Sequence, residues 1–497
     1  MPASHTPSEQ ADVVERLAAL ERKGRPLDPG VSRRKAVRGP LLASAERFLR
    51  NIENVKAFDD SAGSGEGLMA SPIGDHALPV ADVVDLLEEE VIRPGLNAAS
   101  GGHLAYIPAG GLYYSALGDY LAAVTNKFAG VFYTGPGAVR MENQLLRWVA
   151  DLVGYPAEAI GNIASGGSAA TLMAVTTARD AHGLTGADFA QVVVYLSDQA
   201  HHCIEKALRI AGLGEAILRR VPVDDRFRLM PEALTAAITA DQSAGLRPWL
   251  VVASAGTTDT GAVDPLARIG AIAKQAGCWF HVDAAYGGFF LLTEPGRAKL
   301  AGIESSDSVV LDPHKSLFLP YGIGVVLVKD PVPMRAAHRY FGNYMQDAVG
   351  DPGEVSPADV SLELTKHFRA LRMWLPLKLI GVAPFRAALD EKLLLAQYFR
   401  HQAQALGFEV GPEPDLSIVT FRWAKAGVSL EDQNQLNQRI VEGVRKDGRV
   451  FLTSTMIDGR FTIRMAVLAF RTHKKTIDLA LRILNAQVAE LNDAPTG

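Results

Sequence analysis

The chain has 497 residues, 48% hydrophobic and 21% charged, with a formal net charge of -5, so it can bury a large core and divide into more than one structural region. Its charges are interspersed and offer no broad basic surface, which argues against a nucleic-acid partner. The longest apolar runs, such as 249–253, are strand-length, far short of the roughly 20 residues that cross a bilayer, so no membrane partner is expected. The polar start holds Pro2 and Pro7 and no basic stretch leading into an apolar one, so a secretory signal is not expected and a cytoplasmic location is. Cys203 and Cys278 are too few for a disulfide framework and lack metal-ligand spacing. Both are read as reduced and structural, with no metal site.

Along the chain, a polar arm to about residue 35 holds one helix, 11–22, broken by Arg25-Pro26 and Pro29-Gly30. A second, amphipathic helix spans 40–55, with Leu41, Leu42, Ala45, Phe48, Leu49 and Ile52 at helical spacing. The Gly- and Ser-rich run 61–67 reads as a flexible connection, and another helix, 80–92, ends before Pro94-Gly95. From 104 to 380 short apolar strands alternate with helical stretches, the pattern of a parallel or mostly parallel sheet covered on both faces. The expected strands are 192–196, 249–253, 279–282, 308–311 and 324–328. After an apolar helix near 373–380 come a helix at 384–406, strands at 418–423 and 461–467, and a closing helix at 475–491. Three regions are therefore expected: an N-terminal arm and helical segment, 1–103; a large domain, 104–380; and a small C-terminal α+β domain, 381–497.

Two strand ends carry the chemistry. His281-Val282-Asp283-Ala284-Ala285-Tyr286 sets a carboxylate at the end of one strand, and Asp312-Pro313-His314-Lys315-Ser316 sets a lysine after another. Ligands of such sheets gather beyond the carboxyl ends of the strands. Pyridoxal 5'-phosphate (PLP) needs a lysine amine to hold its aldehyde as a Schiff base. It also needs a carboxylate to keep its pyridine nitrogen protonated, so that the ring accepts electrons. Lys315 and Asp283 suit that pair. Lys315 lies between an apolar strand and Leu317, Phe318 and Leu319, surroundings expected to desolvate the ammonium and lower its pKa. Ser165-Gly166-Gly167-Ser168 precedes a helical run at 169–178, so backbone N–H groups and a hydroxyl can face an anion at a helix N-terminus. Gly-Gly turns before helices are common, and this one gains weight only beside the lysine and aspartate.

Taken with Ser197-Asp198-Gln199-Ala200-His201, these motifs, in this order, resemble the PLP-dependent (group II) decarboxylases of the aromatic-amino-acid and glutamate decarboxylase superfamily. The likeness runs from about Arg38 to Leu491. It implies PLP as cofactor and the α/β fold of PLP-dependent transferases, fold type I, with a mostly parallel seven-stranded sheet in the large domain. It also implies a homodimer with active sites at the subunit interface. Residue by residue, Lys315 would form the Schiff base and Asp283 would pair with the pyridinium. His201 would stack on the ring face opposite Ala285 and contact the substrate carboxylate. Thr258 would sit beside the ring hydroxyl, and Gly167, Ser168 and His314 would hold the phosphate. Asp312 stands where some relatives have asparagine and is expected to cap the turn. Arg464 matches a small-domain arginine, with a salt-bridge role and a site-proximal role both open.

Tyr344, entering the Gly-, Pro- and acid-rich segment 347–358, matches a tyrosine on a loop that closes over the site and delivers a proton after CO2 leaves. Relatives that form an aldehyde with oxygen often carry phenylalanine there, so Tyr344 favours simple decarboxylation. The segment 102–108 resembles the substrate-side loop of aromatic amino-acid decarboxylases, with Tyr106 facing the substrate side chain and Ile107 beside it. Ala98, Ile107 and Gly130 replace larger aromatic groups common in those enzymes, which implies a roomier pocket. Phe128, Phe132 and Tyr133 are candidates to restore aromatic contact from a neighbouring subunit. The expected activity is PLP-dependent decarboxylation of an L-amino acid, an aromatic one first, to its amine and CO2. The alternatives are an oxidative aldehyde-forming relative, a carbon–carbon lyase acting on a phosphorylated amino alcohol, and a catalytically silent scaffold, against which the retained Lys315, Asp283, His201 and Tyr344 argue.

Overall fold

The computed structural model describes residues 7–60, 63, 65–108, 110–340 and 353–493. The chain forms two compact units, one of Met1–Val55 with Asp59–Asn97, the other of Lys56–Phe58 with Ala98–Gly497. Up to residue 97, helices α1 (Pro7–Gly24) and α2 (Val31–Asn51) precede strand β1 (Phe58–Asp59), α3 (Glu66–Ala70), α4 (Val80–Leu87) and strand β2 (Gly95–Leu96). Helix α2 starts nine residues before the expected Pro40 and runs through it. Proline removes one backbone bond there, and the Arg, Lys and Ala residues upstream favour helix. Of the connection expected at 61–67, residues 61, 62 and 64 lie outside the described residues, and 66–67 open α3, where Gly67 N–H donates to Glu90 Oε2 at 3.1 Å.

The larger unit contains, in order, α5 (Tyr113–Thr125), α6 (Pro136–Val153), β3 (Ile160–Ala164), α7 (Gly167–Ala181), β4 (Val192–Leu196), α8 (Cys203–Ile210), β5 (Ile217–Arg220), α9 (Pro231–Ser243), β6 (Arg247–Ser254), α10 (Leu266–Ala276), β7 (Trp279–Asp283), α11 (Glu294–Lys299), β8 (Ser308–Leu311), α12 (Pro313–Ser316), β9 (Gly324–Val328), α13 (Pro331–His338) and α14 (Ala370–Ile380). Its seven-stranded sheet has the order β3-β9-β8-β7-β6-β4-β5. Neighbours from β8 to β5 pair in parallel, and β9 alone runs against them, antiparallel to both β8 and β3. The mostly parallel sheet expected from the sequence is thus present.

Strand alternation divides the sheet side chains between two cores. Val193, Tyr195, Val251, Phe280, Val282 and Val309 pack on one face with α6, α9 and α10. Val192, Val194, Leu250, Val252, Trp279 and Val310 pack on the other with α7, α8 and α13. Each fully buried large apolar side chain contributes about 1.5–3 kcal/mol. Burial on both faces makes these strands continuous apolar runs. The edge strands β3 and β5 escape that pattern: β3 carries Gly161 and Asn162, and β5 ends in Arg219-Arg220.

The C-terminal part holds α15 (Ala383–Ala405), β10 (Glu409–Val410), β11 (Ile418–Arg422), α16 (Leu430–Asp447), β12 (Thr453–Ile457), β13 (Arg460–Ala466) and α17 (Lys474–Asp493). Its antiparallel sheet, β10-β11-β13-β12, shares a core with α15, α16 and α17. Helix α16 lies in a stretch rich in Asn and Gln, started by Ser429, whose hydroxyl accepts the Asp432 N–H at 3.2 Å.

Candidate active site

Strands β3, β4, β6, β7 and β8 share one direction, so the segments leaving their carboxyl ends meet at one edge of the sheet. There they line a cavity of about 330 Å³. Gly167, Ser168, His201, Thr258, Asp283, Ala285, His314 and Lys315 all border it, beside Asp312 and Cys203.

At one end β3 turns through Gly166 into α7, a 15-residue helix whose N-terminus opens on the cavity, with Ser168 exposed in the wall. The approach is tight. A Cβ on Gly167 would come within 2.7 Å of Asp312 Oδ2, and one on Gly324 within 2.5 Å of the Gly166 carbonyl carbon. No larger residue fits at either place without moving backbone or carboxylate. The result is a cradle of backbone N–H groups and a hydroxyl at a helix N-terminus, suited to a phosphate. His314 donates Nδ1–H to the Ile323 carbonyl, which fixes its ring beside this cradle.

At the other end Asp283 closes β7. Its Oδ1 accepts the Ala285 N–H at 3.0 Å. Lys315 Nζ stands 3.1 Å from Asp312 Oδ2. Burial pulls the Lys315 ammonium down, but the Asp312 and Asp283 carboxylates outweigh it and leave its pKa raised. The lowered pKa expected from the apolar neighbours is therefore corrected: the nearest charged group decides the sign. The cap expected of Asp312 is corrected too, because its side chain makes no capping bond. Pro313 offers no N–H, and the carboxylate turns to Lys315, with His314 Nε2 3.7 Å away and Oδ1 buried without a hydrogen-bond partner among the described residues.

His201 Nδ1 accepts the Cys203 N–H at 3.2 Å, so the neutral ring carries its proton on Nε2. Burial lowers its pKa, with His202 and Lys315 adding to the effect against Asp283 and Asp312. Of the paired threonines, Thr257 is consumed internally, 2.8 Å from Thr260 Oγ1 and accepting the Ala262 N–H at 3.2 Å. Thr258 stays outside that network, at the cavity wall.

Arg464 resolves into a carbonyl clamp. Its buried guanidinium donates to the carbonyls of Thr258, of Asp259 at 3.2 Å and of Tyr106 at 3.1 Å, and to Thr453 Oγ1 at 2.9 Å. It thereby ties Tyr106, held at φ 52°, to the turn bearing Thr258. Tyr106 and Ile107 are not among the cavity's lining residues: Tyr106 is exposed, and Ile107 is buried in a core cluster. Tyr344 lies outside the described residues. Asp264 was missed by sequence reading. It accepts the Leu229 and Ser254 N–H groups, each at 2.7 Å, and pins the segment that leads to Thr258. Its burial pushes the carboxyl up to about 6. Only its place two residues after Ala262, in a turn following β6, hinted at it.

Lysine, carboxylate, imidazole and a helix N-terminus share one cavity, and together they fit PLP. Comparison with known proteins agrees. The pyridoxal-dependent decarboxylase conserved domain matches residues 73–424. The aromatic-L-amino-acid decarboxylase of Bacillus atrophaeus is 35% identical over 407 residues, 81% of this chain and 84% of that protein. Tryptophan decarboxylase 2 of Oryza sativa subsp. japonica is 30% identical over 457 residues, 88% of this chain and 92% of that protein. A crystal structure of Oryza sativa TDC with PLP and tryptamine superposes with a TM-score of 0.88 at 25% identity, covering 93% of this chain and 99% of that one. Such coverage, on a seven-stranded fold type I sheet, shows that the chain belongs to the pyridoxal-dependent decarboxylases and is a PLP-dependent amino-acid carboxy-lyase.

Proposed function

We propose that this enzyme removes CO2 from an aromatic L-amino acid and releases the amine, with Lys315 as the residue that holds the cofactor and Asp283 as the partner of its ring nitrogen. The observation that carries the reading is the convergence of Lys315, Asp283 and the N-terminus of α7 on one cavity. When bound, PLP supplies an aldehyde for amines and a protonated ring that accepts the electron pair left by departing CO2. Gly167, Ser168 and His314 hold its phosphate, and Thr258 supports the ring hydroxyl. Asp312 Oδ2, 3.1 Å from Lys315 Nζ, holds the ammonium in the cavity, and its proton must leave for solvent before the amine can act as a nucleophile.

His201 stacks on the ring opposite Ala285 and offers Nε2–H to the substrate carboxylate. Being neutral, it orients that group without pairing with it as an ion, and so does not stabilise the carboxylate against its own loss. Tyr344 delivers the proton that completes the amine, an assignment made on the sequence alone. Tyr106 and Ile107 belong to the substrate wall. The names of two similar relatives, an aromatic-L-amino-acid and a tryptophan decarboxylase, support an aromatic substrate.

A second copy of the chain completes the site. Helix α5 leaves Tyr113, Leu117, Tyr120, Leu121 and Val124 exposed at helical spacing, and Phe128 and Tyr133 extend the apolar surface. Monomeric sedimentation of the active protein would contradict this. The three regions 1–103, 104–380 and 381–497 and a cytoplasmic location complete the proposal, and among the described residues no helix is long and apolar enough to cross a membrane. Product analysis tests the reaction: one amine per CO2 from an aromatic amino acid is expected, whereas aldehyde with ammonia and peroxide would favour the oxidative alternative.

A further inference from the structure

Beneath the cavity, β7 and β8 run parallel with His281 opposite Ser308 and Asp283 opposite Val310. Strand alternation puts Trp279, His281 and Asp283 on one face of the sheet, and Trp279 and Val310 accordingly share a core. Trp279 donates Nε1–H to Ser308 Oγ at 2.8 Å, and the same oxygen lies 2.9 Å from His281 Nδ1. An indole N–H can only donate, so Ser308 accepts from Trp279 and has its own hydroxyl proton left for His281. That proton has no other acceptor among the described residues, which makes Nδ1 of His281 its acceptor. The ring is neutral, since burial brings its pKa down to about 4 against the opposing pull of Asp283. Its proton consequently sits on Nε2, the tautomer being set by the bond at the other nitrogen.

That Nε2 is buried and has no hydrogen-bond partner among the described residues, in a side chain only 2% exposed. Native proteins rarely leave a buried donor unmet without a reason. The next side chain along the same face is Asp283, which reaches the cavity and has spent Oδ1 on the Ala285 N–H. We propose that Trp279, Ser308 and His281 form a buried donor chain that aims the His281 Nε2–H along the sheet face toward Asp283 and holds that carboxylate in place for the cofactor's ring nitrogen. His281 is thus a positioning residue, and the inference rests on the assignment of Asp283 to the ring nitrogen.

The tautomer is read by long-range proton–nitrogen correlation on the full-length protein labelled with 15N-histidine, the His281 signals being those lost in His281→Gln. Protonated Nε2 with bare Nδ1 is expected with and without PLP, and Ser308→Ala should mix the two forms. A proton on Nδ1 in the unsubstituted protein overturns the proposal, and that result needs no variant to fold. Cofactor affinity is the second readout. His281→Phe fills the space without a donor and should weaken PLP binding about tenfold, the effect of one hydrogen bond to a charged group. His281→Gln, which restores an N–H, should recover most of it. Equal losses in both variants would mean a packing role and overturn the proposal. Asp283→Asn separates the two claims: unchanged PLP affinity and turnover there would sink the Asp283 assignment itself, whatever tautomer His281 holds.

Discussion

Lys315 shows how one contact reverses an inference from composition. Its apolar neighbours are plain in the sequence, but the direction of the Asp312 carboxylate is a fact of the fold. The distance of 3.1 Å makes that carboxylate the stronger influence. Because its pKa is raised, Lys315 in the cofactor-free protein stays protonated through neutral pH, and only the deprotonated fraction can take up the aldehyde. Uptake of PLP should therefore accelerate with rising pH by up to about tenfold per unit. Asp312→Asn removes the nearest stabilising charge and should shift that rise to lower pH. Stopped-flow absorbance of PLP addition to the apo-protein from pH 6 to 10 checks this, and identical profiles for the two proteins would contradict it. Arg464 teaches a similar lesson. The residue was legible from the sequence, but its partners are backbone carbonyls brought from residues 106, 258 and 259, which no spacing rule reveals.

Among elements, legibility followed burial. The bounds of β4, β8 and β9 coincide with the apolar runs 192–196, 308–311 and 324–328, because a strand buried on both faces needs an apolar residue at nearly every position. Strand β6 starts two residues early, across Pro248, where the pairing with β4 shifts register. Strand β12 and helix α16 went unread because half-exposed polar segments follow capping and pairing rather than hydropathy. The turn after β6 is held by Asp264, which satisfies two backbone donors. Asp264→Ala leaves both unmet and should cost about 2–4 kcal/mol. Urea unfolding followed by circular dichroism measures it, and a loss near zero would show that the turn is held elsewhere. The sign of its pH dependence follows from its raised pKa. The folded carboxyl binds its proton more tightly than the unfolded one, so this group's contribution is present below the unfolded value near 4 and is lost as pH rises toward about 6.

For the whole molecule, the order of strands and the single reversed strand β9 bring six carboxyl ends to one edge, five of which feed the site. The motifs at those ends could be read one by one, since each joins an apolar strand to polar residues of limited choice. Their convergence depends on sheet order, which strands 100 or more residues apart in the chain do not declare. The account rests on Lys315, whose side chain is 20% exposed; Lys366 and Lys392 have fully buried side chains, but pair with Glu142 and Glu391 in settings remote in sequence from the strand-end motifs. The most direct measurement is borohydride reduction of the PLP-loaded enzyme followed by peptide mass mapping. The pyridoxyl group is predicted on Lys315 and absent after Lys315→Ala; its appearance on Lys366, Lys392 or any other lysine would contradict the account.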